Sequence, residues 1–274
     1  MYSIIGLGNC GCEVAKKFEQ FGHYFVKYTD TEERGPQTLL IPESETPELY
    51  EQYDPDFSSS FEDIGSEVCL ILGGSGKISA LSLKLLESIK DRDITVLYIR
   101  PDLELLSGDT LLMEKVTFNV LQEYARSGLF KRMFIVSNEL MSTLIGDVPI
   151  AKYYDSINEY LSSIYNMINV FENTKALMTK FSSVSDISRI ATLGVLDMSS
   201  GEEKFLYPLK NIKEKRLFFG IPQKELEENG SLLKEITSQS KTLTSSLKSE
   251  FAIYSTNYES SFCYTVNYSS QIQD

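Results

Sequence analysis

Tyr2-Ser3-Ile4-Ile5-Gly6-Leu7-Gly8-Asn9-Cys10-Gly11 opens the chain, and Val68-Cys69-Leu70-Ile71-Leu72-Gly73-Gly74-Ser75-Gly76 repeats its construction further on. Each run of aliphatic and β-branched residues reads as a buried parallel strand, and a helical pattern follows each. Where a strand breaks into glycines ahead of a helix, backbone N–H groups and the positive helix end can approach a phosphate. Two such turns on neighbouring strands place a nucleotide across the carboxyl edge of one sheet.

Outward from these turns, the spacing predicts strands over 1–6 and 23–29, separated by a helix over 10–21 that presents Val14, Ala15 and Phe18 and stops at Gly22. Gly35-Pro36 turns the chain into an apolar run at 38–41. The acidic, Pro-, Ser- and Tyr-rich stretch 43–60 reads as a surface excursion. Strand 67–72, helix 77–90, strand 94–99, helix 109–127 and strand 132–137 follow. Helix 109–127 carries Leu112, Val116, Val120 and Tyr124 at intervals of four and ends at Gly128. From 151 to 172, Tyr154, Ile157, Leu161, Ile164, Ile168 and Phe171 recur at helical spacing, a helix on the order of 30 Å long. The alternation predicts an α/β fold: a Rossmann-like, mostly parallel sheet with helices on both faces, then the long core helix.

Past about residue 197 the texture becomes rich in Tyr, Ser and Phe. Strands are expected at 215–221, 249–256 and 261–270, the last two forming a hairpin through Asn257-Tyr258-Glu259-Ser260. Helices are expected over 187–195 and 231–247, the second carrying Leu232, Leu233, Ile236, Leu243 and Leu247. This makes a smaller α+β domain. The expected division is 1–150, nucleotide-binding; 151–186, core helix and following loop; and 187–274, the small domain.

Composition narrows the function. A chain of 274 residues can bury a full core. Its net charge of −13 argues against nucleic acid and against an anionic membrane surface. No segment reads as a membrane span or a secretory leader, so a cytoplasmic protein is expected. The four cysteines, Cys10, Cys12, Cys69 and Cys263, form no zinc-type pair and read as reduced core or turn thiols. His23 is the single histidine, which removes His-based metal clusters and Ser-His-Asp triads, and no metal ligands are expected.

Gly6-x-Gly8-x-x-Gly11 fits the dinucleotide fingerprint, and Asp30 ends the next strand, where a ribose-binding acid would stand. A tight strand-to-helix turn without ligand explains the same glycines. Gly73-Gly74-Ser75-Gly76-Lys77 is no Walker A loop, because Ile71 replaces its first glycine and Ile78 its Ser or Thr.

The order of these features resembles the tubulin/FtsZ family of filament-forming GTPases. The matching stretches are Gly6-Leu7-Gly8-Asn9-Cys10-Gly11 and Thr29-Asp30 for the first two loops, and Gly73-Gly74-Ser75-Gly76 for the signature loop. Arg100-Pro101 resembles the family's loop near the ribose, Ser137-Asn138-Glu139-Leu140 its Asn-Asp-Lys-Leu turn, and Asn158-Glu159-Tyr160-Leu161 the start of its long core helix. The resemblance covers most of residues 1–196 and implies a guanine nucleotide, GTP or GDP, with Mg2+ as a candidate companion. It implies that Asn138 and Asn158 contact the base, as an amide that donates and accepts at once can do. It also implies head-to-tail assembly with other copies of the chain.

Two departures stand out. Lys77 and Ile78 follow Gly76 where the family continues Gly-Thr-Gly, so a cation replaces a glycine approach. In Phe181-Ser182-Ser183-Val184-Ser185-Asp186, only Asp186 remains of the acids that orient the attacking water in the next subunit's pocket, and an N-cap role for helix 187–195 fits it equally. The expected function is therefore a filament protein that binds guanine nucleotide and hydrolyses it slowly or not at all. The alternatives are a Rossmann-type NAD(P)-dependent oxidoreductase and a structural relative that has lost its nucleotide.

Overall fold

The structure, a computed structural model, describes residues 1–243 and 247–274. The chain divides into two compact units, Met1–Ser162 and Ser163–Asp274.

In the first unit the order is β1 (Tyr2–Leu7), α1 (Gly8–Lys17), β2 (Tyr24–Asp30), β3 (Thr38–Leu40), α2 (Pro47–Gln52), α3 (Phe57–Ser60) and β4 (Glu67–Gly73). It continues through α4 (Ser82–Ser88), β5 (Asp93–Arg100), α5 (Gly108–Ser127), β6 (Arg132–Ser137), α6 (Asn138–Ile145) and α7 (Tyr153–Glu172), the last running across the division. The strands lie in the order β6-β5-β4-β1-β2-β3, all parallel. Strands parallel on both sides need apolar residues throughout, and Val68–Leu72 of β4 are fully buried. The excursion 43–60 is more ordered than its composition suggests. Thr46 and Asp56 cap α2 and α3, and Tyr50 and Phe57 enter the core. The helix predicted over 77–90 begins as a 3₁₀ turn, Lys77–Leu81, before α4.

The second unit holds β7 (Ile190–Leu196), β8 (Glu203–Phe205), β9 (Ile212–Pro222), α8 (Gln223–Glu228), α9 (Leu232–Leu243), β10 (Lys248–Thr256) and β11 (Phe262–Ser269). Two expectations are corrected here. Residues 187–195 are not a helix: from Ile190 onward they form β7, paired antiparallel with β11 and β8. Nor do 249–256 and 261–270 form a hairpin, because β9 lies between them, parallel to β10 and antiparallel to β11. The connection through α8 and α9 allows that parallel return, whereas the short Asn257–Ser260 link carries the chain over β9. Residues 244–246, the end of the predicted helix 231–247, lie outside the described residues. Leu217, Phe219, Ile221, Ile253 and Cys263 pack with Leu232 and Ile236 of α9.

A buried polar network pins this sheet. Lys215 and Glu203 are ion-paired with both side chains 4% exposed. Thr265 and Asn267 donate to the same carboxylate at 2.6 and 3.0 Å.

Candidate nucleotide site

The order of the first sheet reverses between β1 and β4. From β1 the chain builds outward through β2 and β3, and from β4 it builds the other way through β5 and β6. Ligands of open α/β sheets bind in the crevice at such a switch point, outside the carboxyl ends of the strands. Leu7 lies opposite Leu72, so the loops at Gly8–Gly11 and Gly73–Gly76 leave the sheet side by side. Asp30, Arg100 and Ser137-Asn138 end β2, β5 and β6 at the same edge.

The glycines of the first loop answer to the fold before any ligand. A Cβ on Gly6 would stand 2.7 Å from the Cys12 Cα, and one on Gly11 would stand 2.1 Å from the Ile71 carbonyl oxygen. Helix α1 therefore lies directly on β1 and β4. Gly8 has φ +68°, which only glycine adopts readily. No side chain caps α1 and no acidic residue sits in its first turn, so its leading amides have no partner from a capping side chain. The Ile78 Cγ2 methyl would stand only 2.7 Å from a Cβ on Gly8, and Gly8 is buried beneath it. A hydrocarbon thus lies against the middle glycine, where a phosphate would approach the backbone.

Arg34 ties the edge together and was not legible as a functional residue in the sequence. Its Nε and Nη2 donate to Asp30 Oδ2 at 2.8 and 2.7 Å, its Nη1 to Glu13 Oε1 at 2.7 Å, and its Nη2 to Asn9 Oδ1 at 2.7 Å. Asp30 also accepts from the Thr31 amide at 2.8 Å and is 3% exposed. The carboxylate expected to meet a ribose is engaged by the chain's own guanidinium.

The second loop rests on another buried cluster. A Cβ on Gly74 would stand 2.0 Å from the Tyr98 hydroxyl and 3.3 Å from the Glu114 Cα. The Ser79 hydroxyl donates to the Gly76 and Gly74 carbonyls at 2.6 and 3.1 Å and fixes the turn. Gly76 and Lys77 are exposed, and the Lys77 ammonium has no partner among the described residues. Arg100 turns toward α5. Its Nε donates to Glu114 at 3.2 Å, and its guanidinium lies 4.3 Å from the centre of the Phe118 ring. Glu114 is fully buried, and burial raises its pKa from the ordinary 4.5 against the pull of Arg100.

Asn138 and Asn158 are half-buried, and neither side-chain amide has a hydrogen-bond partner among the described residues. Asn138 is the first residue of α6. Asn158 sits in the early turns of α7, which Lys17 and Gln20 hold through Asp155 and Glu159. Asp186 belongs to the second unit, where it is exposed, and the N-cap role expected of it falls away because no helix begins at residue 187. Its loop is fastened by the Ser182 amide donating to Glu250 at 2.9 Å and the Ser185 amide to Glu214 at 3.0 Å.

Among the described residues, no group of three or more His, Cys, Asp and Glu side chains is placed to hold a metal, and no helix is long and apolar enough to cross a membrane. Mg2+ would therefore have to take most of its ligands from phosphate and water.

No protein-family model matches the sequence, and comparison with curated protein sequences finds no match. Solved structures match over nearly the whole chain. An empty FtsZ dimer from M. jannaschii is 13% identical, with a TM-score of 0.74, over 98% of this chain and 88% of that one. A TubZ-Bt four-stranded filament is 15% identical, with a TM-score of 0.75, over 97% and 85%. A GTPγS-bound protofilament of CetZ2 from Haloferax volcanii is 14% identical, with a TM-score of 0.71, over 97% and 92%. The switch-point glycine loops, the long helix α7 and the mixed sheet that follows thus stand in the fold shared by FtsZ, CetZ and TubZ, the tubulin/FtsZ fold.

Proposed function

We propose that this chain is a cytoplasmic, tubulin/FtsZ-like filament protein that binds GTP or GDP at the β1–β4 switch point and assembles head to tail with slow hydrolysis. The reading is carried by Asn138 and Asn158: two unpartnered amides at the positions that the family resemblance assigns to the base. The CetZ2 neighbour is GTPγS-bound and a protofilament, and the TubZ neighbour is a filament, which supports both halves of the proposal. In it, the uncapped first turn of α1 and Lys77 meet the phosphates, and Asp186 of one subunit serves the pocket of the next.

A second reading, a structural protein without nucleotide, draws support from the Ile78 methyl against Gly8. Titration with fluorescent GTP, GDP and NAD+ separates them. Guanine nucleotide should bind the wild type, and Asn158→Ala should weaken it by about 1–3 kcal/mol, the scale of a lost paired contact. A wild type that binds no guanine nucleotide while Ile78→Ala does would establish the second reading, and binding of NAD+ alone would overturn both.

A further inference from the structure

Helix α5 buries Phe118, Leu121 and Ala125 on the core, yet it carries a second apolar row on its outward face. Its buried positions include Glu114, Thr117 and Gln122, while Leu112, Val116 and Tyr124 are 61%, 50% and 36% exposed, with Val120 half-buried between them. A helix that packs one face on a core normally carries polar residues on the opposite face. The four outward residues follow one another at i+4, so they form a single ridge about 18 Å long from Leu112 to Tyr124. Ridges of this kind interlock with their own type at a crossing angle of about −50°.

The charges beside the ridge say what fits it. Lys115, Asn119 and Glu123 make the adjacent i+4 row, and all three are exposed. Both rows are symmetric about the middle of the helix. Reversal exchanges Leu112 with Tyr124, Val116 with Val120 and Lys115 with Glu123, and leaves Asn119 near the axis. A second copy of α5 laid antiparallel therefore sets apolar against apolar and ammonium against carboxylate. Lys115 has no ion-pair partner among the described residues, and Glu123 has only a surface contact with Arg126 at 3.5 Å. The exposed charges from Lys115 to Arg126 are two cations and one carboxylate, so the strongly acidic chain presents here a surface that does not repel its own copy.

We propose that the outward face of α5 is a two-fold self-association surface, distinct from the head-to-tail contact. The same patch serves both partners, as such symmetry requires. Four side chains are far less than the roughly 800 Å² per partner of a stable interface, so the contact is weak between single molecules. Repeated along a polymer, it would gain strength by multivalency.

The test uses the full chain without nucleotide, which keeps it separate from head-to-tail assembly. Sedimentation should show a concentration-dependent dimer that Val116→Asp abolishes. Lys115→Glu and Glu123→Lys should each weaken it about five-fold or more, and the two together should restore it to within about two-fold. In a Cys10→Ser background, Asn119→Cys should oxidise to a disulfide-linked dimer faster than Ser127→Cys. A wild type that stays monomeric at millimolar concentration overturns the proposal. Charge reversals that add rather than cancel, or an Asn119→Cys variant no faster than the control, also overturn it. Circular dichroism checks folding, and if Val116→Asp is misfolded the charge exchange decides alone.

Discussion

A methyl group at residue 74 would stand 2.0 Å from the Tyr98 hydroxyl, so Gly74 answers first to the packing beneath it. Overpacking of this kind costs about 1–3 kcal/mol. Gly74→Ala should accordingly lower the melting temperature with no nucleotide present. Tyr98→Phe deletes the offending oxygen, leaving the ring carbon at 3.0 Å as the nearest contact. Tyr98→Phe alone gives up weak hydrogen bonds to Glu114 at 3.4 Å. In the double variant the two costs should not add, and calorimetry of the four-member cycle measures the coupling. Additivity would show that the hydroxyl is not what excludes the side chain. The same residues mark the limit of the sequence. The glycines of both loops were plain to read, but Arg34 on Asn9 and Glu13, and Glu114 under Gly74, join residues far apart in the chain. No local pattern announces such pairings.

Among elements, β7 shows why the second unit was harder to read than the first. Asp186 reads as an N-cap and Ile187, Ile190 and Ala191 fall at helical spacing, yet a strand paired on both sides also reads as a run of apolar residues. Sheet partners decide such a case, and they come from residues that follow later in the chain. The first unit was legible because every strand there except β2 is followed by a helix. On the sheet of the second unit, Glu203 is the acceptor on which Lys215, Thr265 and Asn267 converge. Glu203→Ala leaves a buried ammonium unpaired, and a loss of about 3–5 kcal/mol is expected in urea unfolding. The joint replacement Glu203→Leu with Lys215→Met should cost much less, because it leaves no uncompensated charge. An equal loss in both variants would mean that packing rather than charge governs this site.

For the whole molecule, the assembly reading makes a demand on kinetics. If Asp186 serves the pocket of the next subunit, phosphate release per chain should rise with protein concentration and follow light scattering. Asp186→Ala should lower that rate and leave nucleotide binding by single molecules unchanged, since positioning of water depends on the group supplied across the junction. A rate independent of concentration would place the reaction within one chain. The order of strands carries a further consequence for how the protein is made. β11, made after both of its neighbours, lies between β7 and β9. Until it arrives, two apolar strands wait with open edges, the condition under which nascent chains stick to one another. A stop codon placed before Phe262 should therefore yield inclusion bodies rather than a shortened soluble product, as fractionation of expressing cells would show. Supplying residues 257–274 as a separate peptide during refolding should recover soluble protein. β11 is the closing element of this sheet, which is complete only once residues 262–269 have been made.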